Sequence, residues 1–485
     1  MRAGNPSRVG SPEAVRYRST MPDGTPSALR PLTDLPSLPK LPLVGALPWL
    51  LHPEGFIARL LQHVERQPDV RSLRVPRPDG RSPIFVGSAR LAEDLVDEAR
   101  FEKVLDGPFV HIRDFAGDGL FTAHSHEESW HRANRILAPG FSSASMERYY
   151  PAMTATLEDL LAHWRAATGP VDVVADMTKL TLDTISRAGF DYDFASFSKP
   201  ELHPFLQALA RCLQETIDVV QRPLFLTPLF GARRARYRED IASMFRLVDD
   251  VIRERQRQPA ERWPRDFLSL MLSAKDPKSG ERLTDENIRY QILTFLIAGH
   301  ETTAGLLSFS LHALARDREL LRRVREEVSL HVPRGALPTM KQVLDLDLVK
   351  RVLSEALRLW PTVPIVIRAA KEDTHVGDYR APSGQAFGLF LTAVHRDPAV
   401  WPDPTRFDPD RFLPEAVRSR PAAAYKPFGV GKRACTGRHF AMIEAMLCLA
   451  VLARDFDFED PGPLRLAPTI SPKPGRFHLH LRPAA

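Results

Sequence analysis

Apolar positions recur every three to four residues along most of the chain from residue 89 onward, which is the spacing of amphipathic helices. Before that point one helical pattern covers residues 55–70, and two short alternating stretches at 71–75 and 84–86 predict strands around a turn at 78–80. The longer helical patterns cover residues 91–98, 127–137, 145–168, 176–188, 204–220, 238–257, 284–316, 346–359 and 437–452. We therefore predict a mainly α-helical protein with small β-sheets.

The longest helical pattern begins near Thr284 and continues to about Arg316, with Asp285 and Glu286 in its first turn, where acidic side chains suit the helix dipole. A chain of 485 residues is ordinarily divided into about two to four domains. No repeat or linker-like change of composition, however, divides residues 44–485. We predict one large domain there, preceded by a largely disordered lead-in at residues 1–43 that is rich in Pro, Ser and Arg.

Composition excludes several classes of protein. Three cysteines cannot staple a chain of this length, which excludes a disulfide scaffold and favours a reducing compartment, so we expect a cytoplasmic protein. The net charge of +6 is too small to indicate a nucleic-acid partner. No apolar run is long enough for a transmembrane anchor, and residues 1–20 lack the apolar core of a secretory signal. Both Met1 and Met21 are compatible with the true start.

The strongest local motif is the ten-residue stretch 428–437, Phe-Gly-Val-Gly-Lys-Arg-Ala-Cys-Thr-Gly. Its glycines allow a tight backbone bend, and Cys435 stands just before a predicted helix, where free N–H groups and the helix dipole stabilise a thiolate. Lys432 and Arg433 add positive charge beside it. Cys212 and Cys448 lie in plain helical patterns and fit ordinary buried cysteines. We therefore expect Cys435 to be a ligand for a soft metal, including haem iron.

Several distant motifs now agree, and together with Cys435 they make the chain resemble a cytochrome P450. The motifs are the E-x-x-R helix at 355–358, the stretch 407–412 that contains Arg411, and the segment 298–303, Ala-Gly-His-Glu-Thr-Thr, within the longest helix. A closer resemblance, to the haem domain of the bacterial self-sufficient fatty-acid hydroxylases, is carried by residues 110–122, 285–291, 357–362 and 455–460. Those relatives carry a fused flavin reductase, for which this chain has no remaining length.

The resemblance implies a cytochrome P450 fold with a long central helix over a haem b whose iron is bound by Cys435. Thr302 would hold O2 and a water, with Glu301 on the proton route, and Gly299 would allow close approach of the haem. Glu355, Arg358 and Arg411 would form a buried structural network. The expected haem contacts are Arg433, Phe428, Trp130, Arg368, His131, Gly429, Gly437 and Ala298. The chain departs from the family at Asn134, where arginine or histidine is common.

The same resemblance implies an apolar substrate pocket. Phe121 would lie above the haem and limit the approach of the substrate. The expected pocket residues are Phe109, Ile112, Phe115, Ala298, Val363 and Ile365. Arg81 matches an arginine that meets a fatty-acid carboxylate, whereas the partner tyrosine is replaced by Phe85. The apolar stretch 223–230 falls where a lid loop is expected and could instead contact a ligand, a partner or the body of the protein.

We therefore expect a monomeric haem-thiolate monooxygenase that hydroxylates a lipophilic small molecule, a fatty acid or a fatty-acyl-like compound. Electrons would come from a separate ferredoxin or flavodoxin with its NAD(P)H reductase, attracted by a basic surface around Lys426, Lys432, Arg438, His439 and the helix at 131–135. One alternative is a tailoring enzyme that hydroxylates or epoxidises a natural-product intermediate. A non-catalytic haem sensor or carrier is a third reading, which the Glu301–Thr302 relay disfavours.

Overall fold

A helix of 32 residues, Asp285–Arg316, is the longest element of the computed structural model, which describes residues 29–38, 55–66, 71–75, 83–199, 201–222, 230–467 and 469–483. The described helices are α1 (Gly55–Glu65), α2 (Ala89–Leu95), α3 (Pro108–Ala116), α4 (Glu128–Leu137), α5 (Met146–Ala166), α6 (Val173–Phe190), α7 (Pro204–Gln221), α8 (Gly231–Arg257), α9 (Phe267–Ser273), α10 (Asp285–Arg316), α11 (Arg318–His331), α12 (Met340–Leu344), α13 (Asp347–Leu359), α14 (Leu391–Val394), α15 (Pro414–Ser419) and α16 (Arg438–Asp455). The predicted mainly helical class is confirmed.

The start of α10 follows the sequence signal. The side chain of Thr284 accepts a hydrogen bond from the backbone N–H of Asn287 at 3.1 Å, which satisfies one of the free donors of the first turn. Beyond this cap the helix is buried along most of its length and packs against α6, α13 and α16. Within the described part of the chain it alone is long and apolar enough to cross a membrane, but 78% of that apolar window is buried in the protein. It therefore has the burial of a core helix.

The strands lie at one side of the helices. They are β1 (Ser72–Arg74), β2 (Ile84–Val86), β3 (Phe101–Lys103), β4 (Val171–Asp172), β5 (Ile365–Ala370), β6 (Thr374–Val376), β7 (Tyr379–Ala381), β8 (Ala386–Phe390), β9 (Phe456–Phe458), β10 (Leu466–Ala467), β11 (Lys473–Pro474), β12 (His478–Leu479) and β13 (Leu481–Pro483). The main sheet has the order β1-β2-β8-β5-β3, in which β2 and β8 are parallel and the other neighbours antiparallel. At its β3 edge, Lys103 is directly opposite Arg368 on β5.

The domain begins before the expected boundary at residue 44. Residues 29–38 fall inside the predicted disordered lead-in, yet they pack on the body: Leu35 and Leu38 are buried, and the backbone N–H of Arg30 donates to the carbonyl of Asp378 at 2.9 Å. Leu32 also packs against the core beside Leu35, so burial of these leucines accounts for the docking of the segment. The remaining residues of the lead-in, 1–28 and 39–43, lie outside the described part of the chain.

Helix positions agree with the periodicity more closely than helix ends do. The last helix was predicted to end at 452 and continues to Asp455, whereas α8 begins at Gly231, seven residues before the predicted start at 238. The periodicity missed α3, α9, α11, α12, α14 and α15 altogether. Five of these six have fewer than ten residues, too short for a periodic signal to stand out.

Candidate functional site

The motif 428–437 forms a bent loop that leads into α16. Gly429 and Gly431 have φ angles of +74° and +61°, which side chains with a Cβ rarely adopt, as the sequence predicted. The backbone N–H of Cys435 donates to the carbonyl of Phe428 at 2.8 Å and closes the bend. Cys435 consequently stands three residues before the first residue of α16, Arg438. The loop thus presents a cysteine at the N-terminal side of a helix.

A carboxylate from the segment after α2 supports this loop. Glu98 accepts the backbone N–H of Lys432 at 2.6 Å, and its carboxyl group occupies the space that a side chain at Gly431 would need. Gly431 is therefore required twice, for its φ angle and for the approach of Glu98. Nothing in the sequence pattern pointed to Glu98, because the two residues are 334 positions apart.

The surroundings of Cys435 act on its thiol in opposite directions. Burial raises its pKa above the ordinary cysteine value, while the backbone N–H of Gly437 and the guanidinium of Arg438 lower it. The cation that matters is Arg438, not Lys432 or Arg433 as the sequence suggested, because the side chain of Arg433 is directed elsewhere. Burial has the larger effect, so the net shift of the pKa is upward. A metal bound at Cys435 would deprotonate the thiol, since metal-coordinated thiols are deprotonated.

Cys435 is exposed into a cavity of about 280 Å³ between the loop and α10. Most of the predicted haem contacts line this cavity: Phe428, Gly429, Arg433, Gly437, Trp130, Arg368 and Ala298. Thr302, Phe109, Phe121, Val363 and Ile365 line it as well. Other lining residues were not predicted, among them Lys103, Phe141, Ile185 and Phe295. The structure thus brings together chain segments that are more than 300 residues apart.

At the cavity wall formed by α10, two threonine hydroxyls donate hydrogen bonds to main-chain carbonyls of that helix. The hydroxyl of Thr302 donates to the carbonyl of Ala298 at 2.7 Å, as the four-residue spacing predicted. The hydroxyl of Thr181 on α6 donates to the carbonyl of His300 at 2.9 Å. Gly299 lines the cavity, but a Cβ there would meet Ile185 at 3.1 Å, so α6 rather than a haem is the close neighbour that requires glycine.

Glu301 does not line the cavity. Its carboxylate is held by the ammonium of Lys473 at 2.7 Å and lies 3.1 Å from the Nε2 atom of His300. These two partners lower the pKa of Glu301 to about 2 although burial opposes the shift. The predicted place of Glu301 on a proton route to the cavity is therefore not what this geometry shows. Thr302 faces the cavity. Because neighbouring residues on a helix point in different directions, the side chain of Glu301 faces β11 instead.

Three cations meet at the end of the cavity opposite α10. Arg433, Arg368 and Lys103 line it together, and burial lowers the pKa of each of them. Their protein partners are main-chain carbonyls, and the Nη1 atom of Arg433 and the Nε atom of Arg368 are buried without a hydrogen-bond partner. Buried donors of this kind require an acceptor. A ligand with carboxylate groups at this end, as in haem, fits them.

The wall formed by α4 differs from the prediction at one position. Trp130 lines the cavity, with the guanidinium of Arg433 4.5 Å from the centre of its ring. His131 was also expected to contact the cofactor, but it is not a lining residue and its ring packs edge-on against Trp130 at 4.9 Å. One step along a helix rotates a side chain by about 100°, which takes His131 off the cavity face. Asn134, four residues after Trp130, returns to that face.

A second cavity of about 420 Å³ adjoins the first and shares Phe109, Ile365 and Ile367 with it. Phe85 lines this outer cavity, and its ring packs edge-on against Phe56 at 5.8 Å. The polar residues of its described lining are Asp106, Gln214 and Thr469. Both cavities are mainly apolar, and we call the two together the passage; Cys435 and Thr302 line its inner cavity. Arg81 and the apolar loop residues 223–229 lie outside the described residues.

Two predicted pocket residues line neither cavity. Ile112 and Phe115 on α3 are fully packed in the main core, and the ring of Phe115 lies edge-on to Tyr237 at 6.5 Å. The hydroxyl of Tyr237 in turn donates to the carbonyl of His111 at 3.2 Å, which fixes this face of α3 against α8. The prediction failed because Ile112 and Phe115 lie on the α8 side of α3, whereas Phe109 faces the passage.

The predicted structural network is assembled. Arg358 donates to both oxygens of Glu355, at 2.6 and 2.7 Å, and both side chains are inaccessible to solvent. Arg358 also donates to the carbonyls of His395, Pro404 and Arg406. The guanidinium of Arg411 lies 3.6 Å from Glu355, within ion-pair distance. These contacts tie α13 to the segment that precedes the cysteine loop.

The fold, the cysteine loop and the cation cluster define the class of this protein, and comparison with known proteins agrees. The model of the family "Cytochrome P450" matches residues 35–479. The chain therefore belongs to the cytochrome P450 family, whose members are haem-dependent oxidoreductases with a cysteine thiolate as the iron ligand. The predicted family, enzyme class and cofactor are confirmed.

The chain is similar to two bacterial proteins in particular. It is 38% identical over 472 residues to bifunctional cytochrome P450/NADPH–P450 reductase 1 of Bacillus subtilis (strain 168), which covers 96% of this chain and 42% of that relative. It is 41% identical over 408 residues to a bifunctional cytochrome P450/NADPH–P450 reductase of Bacillus cereus, which covers 82% of this chain and 38% of that relative. The chain thus spans about two fifths of the length of these relatives.

A crystal structure of the cytochrome P450DA haem domain is also similar. It superimposes with a TM-score of 0.88 at 43% sequence identity and covers 94% of this chain and 98% of that one. This agreement confirms the predicted cytochrome P450 fold, mainly helical with small sheets.

Proposed function

We propose that this protein is a monooxygenase that hydroxylates a lipophilic small molecule with O2. One observation carries the proposal: two mainly apolar cavities share Phe109, Ile365 and Ile367, and the inner one is lined by both Cys435 and Thr302. A binding protein for haem would need the cysteine and the cations, but it would not need the outer apolar cavity. A non-catalytic sensor or carrier is therefore the weaker reading.

The residues of this chain have separable tasks in that reaction. The bound haem supplies activation of O2, and its thiolate ligand favours cleavage of the O–O bond. Cys435 would be that ligand, and Arg433 and Arg368, whose buried Nη1 and Nε atoms lack a hydrogen-bond partner among the described residues, would pair with the haem carboxylates. The hydroxyl of Thr302 can leave the carbonyl of Ala298 and donate to oxygen or water in the cavity, and so deliver a proton there. The apolar walls exclude bulk water from this point.

For the substrate we propose a fatty acid or a fatty-acyl-like compound, because the outer cavity is mainly apolar and is lined by Phe109, Ile365, Ile367 and Ile470. Phe85 supports a second candidate, a neutral natural-product intermediate. Its ring is buried against Phe56 and offers no hydroxyl to a carboxylate at the mouth. Discrimination between the two candidates depends on the polar end of the ligand, since both have an apolar body.

Electrons would come from a redox protein that docks near the cysteine loop. Lys432, Arg438 and His439 are exposed there and form a basic patch. The arginines of α4, which the sequence added to this surface, are paired instead: Arg132 with Glu281, and Arg135 with Asp276 and Glu128. The patch is smaller than expected, and an acidic ferredoxin or flavodoxin, with its NAD(P)H reductase, is the partner that fits its charge.

The test is a spectral screen followed by turnover. The haem-loaded protein is titrated with saturated fatty acids, with their methyl esters, and with neutral polyketide, peptide and terpene probes. Binding is measured from the absorption spectrum, because ligands that displace water from the iron shift it. Binders are then incubated with O2, NADPH and a surrogate ferredoxin system, and products are identified by mass spectrometry. A hydroxylated product confirms the proposal, with acids against esters deciding the substrate class. Binding without product from any probe would instead support a carrier.

A further inference from the structure

Four consecutive carbonyls in the loop that carries Phe121 each accept a hydrogen bond from a cationic side chain. Arg433 donates to the carbonyls of residues 120 and 123, at 3.2 and 2.8 Å. Lys103 donates to the carbonyl of Phe121 at 2.5 Å, and Arg113 donates to that of Thr122 at 2.9 Å. A main-chain segment without helix or strand pairing is held in this way by three positive charges. Charge-assisted bonds are the stronger kind, so the loop is fixed in one conformation.

Lys103 contacts Phe121 twice. Besides its bond to the carbonyl, its ammonium lies 4.4 Å from the centre of the Phe121 ring. The ring of Phe121 also packs edge-on against that of Phe109, with 5.8 Å between the ring centres. A cation over an aromatic face is attracted by the negative face of the ring, and more strongly away from water. Rotation of the Phe121 ring would lose that contact, so the ring is held between Lys103 and Phe109.

The backbone of Lys103 fixes its own position. It lies at the end of β3 opposite Arg368 on β5, and its carbonyl accepts the hydroxyl of Ser125 at 3.2 Å. The ammonium therefore reaches the loop from a sheet strand, which is more rigid than the loop itself. Lys103 and Phe121 both line the cavity that Cys435 and Thr302 also line.

We propose that Lys103 is a specificity-determining positioning residue, which acts through Phe121 to fix the carbon of the substrate that is oxidised. The substrate part of this inference rests on the proposed function. The positioning part rests on the contacts alone. Lys103 does not touch the reacting atoms in this role, and its removal changes where the ring lies rather than the chemistry.

The experiment compares Lys103→Met and Lys103→Arg with the wild type, each normalised to its haem content. Lys371→Met is the matched control, because Lys371 also donates to a main-chain carbonyl, that of Glu98 at 2.6 Å, but is exposed and outside the cavity. The probes are imidazole and 4-phenylimidazole, whose shared ring binds haem iron and whose phenyl group must pack against Phe121. Product regiochemistry with dodecanoic acid is the second readout.

In Lys103→Met, the Kd of 4-phenylimidazole should rise about fivefold, the equivalent of about 1 kcal/mol, while that of imidazole stays constant. The main hydroxylation position should lose its dominance, and Lys103→Arg should restore both properties. In a Phe121→Ala background, Lys103→Met should have no further effect on either readout, because the ring through which it acts is gone. An equal change for both imidazoles, or an undiminished effect of Lys103→Met without Phe121, would overturn the proposal. Failure to oxidise dodecanoic acid would count against the proposed substrate only, since the imidazole titrations still decide the role of Lys103.

Discussion

The carboxylate of Glu301 is joined to the ammonium of Lys473 at 2.7 Å, so the acid next to Thr302 faces β11 and not the cavity. Because this pairing lowers the pKa of Glu301 to about 2 from an ordinary value of 4.5, it stabilises the folded protein fully above pH 4.5. Its contribution is lost as the pH falls from 4.5 toward 2.

Glu301→Gln should therefore lower the free energy of unfolding by about 3 kcal/mol at neutral pH, because it leaves a buried, unpaired Lys473. Adding Lys473→Met should recover much of that loss. Urea denaturation of the three proteins at neutral pH measures this, and the difference between Glu301→Gln and wild type should shrink below pH 4.5. Product formed per haem should fall less in Glu301→Gln than in Thr302→Ala. The opposite order would return Glu301 to the proton route.

Thr302→Ala should keep haem binding and the reduced carbon monoxide difference spectrum, since Thr302 makes only a hydrogen bond within α10. It should divert reducing power to hydrogen peroxide, because the hydroxyl that would donate in the cavity is absent. The measurement is NADPH consumed against product and peroxide formed. Thr302→Ser keeps a hydroxyl at the same position and should restore most of the coupling. Unchanged coupling in the alanine variant would refute the role.

Removing Arg358 should prevent haem incorporation rather than alter the chemistry. Arg358→Ala leaves the buried carboxylate of Glu355 without its main partner, which costs about 3–5 kcal/mol. Arg411→Ala should cost less, because its guanidinium is 3.6 Å from Glu355 and partly exposed. Haem content and the urea midpoint measure both effects. Arg322→Ala, which breaks an exposed pair with Glu319, is the control and should change neither quantity appreciably.

Reversing charge in the basic patch should slow electron transfer. The double variant Lys432→Glu/His439→Glu removes two exposed groups at the cysteine loop, and an acidic redox protein should then dock more slowly. Stopped-flow reduction at several ionic strengths measures the rate, which should depend less on salt in the variant than in the wild type. Arg253→Glu, an exposed arginine on α8 paired with Asp250, is the matched control. Equal salt dependence in all three proteins would rule out docking at this patch.

Phe85→Tyr should shift preference toward free acids. The added hydroxyl would stand at the outer cavity, where Phe85 now packs against Phe56, and could donate to a carboxylate. We expect the Kd of dodecanoic acid to fall about tenfold or more, since a hydrogen bond to a charged group contributes about 1.5–3 kcal/mol, while that of its methyl ester changes little. Spectral titration of both ligands measures the ratio. An equal effect on acid and ester would show that the ring, not the head group, matters.

The sequence was sufficient wherever a residue's neighbours along the chain decide its position. The motif around Cys435, the cap at Thr284 and the bond from Thr302 to the carbonyl of Ala298 all follow from local spacing. The same holds for Glu355 and Arg358, one helical turn apart. Such features are fixed by backbone geometry before any tertiary contact forms.

The errors share a different physical origin. Ile112, Phe115 and Glu301 lie within one to six residues of correctly placed site residues, but the direction of each side chain is set by the packing of its helix against a distant element. His131 is one step along its helix from Trp130, which turns it off the cavity face. The helix period predicts which residues share a face, and not what that face meets. Lys103 and Glu98 were missed because their partners are distant along the chain.

The register between β3 and β5 has a practical consequence for engineering. Libraries meant to move the site of oxidation usually vary the side chains that line a pocket. In this protein, Lys103 reaches the Phe121 loop from β3, and the facing strand β5 carries both Arg368 at the cation cluster and Ile365 in the passage. Strand β5 therefore contributes residues both to cofactor binding and to substrate access. Varying residues at this edge of the sheet would change both properties together and would leave Cys435 and Thr302 unaltered.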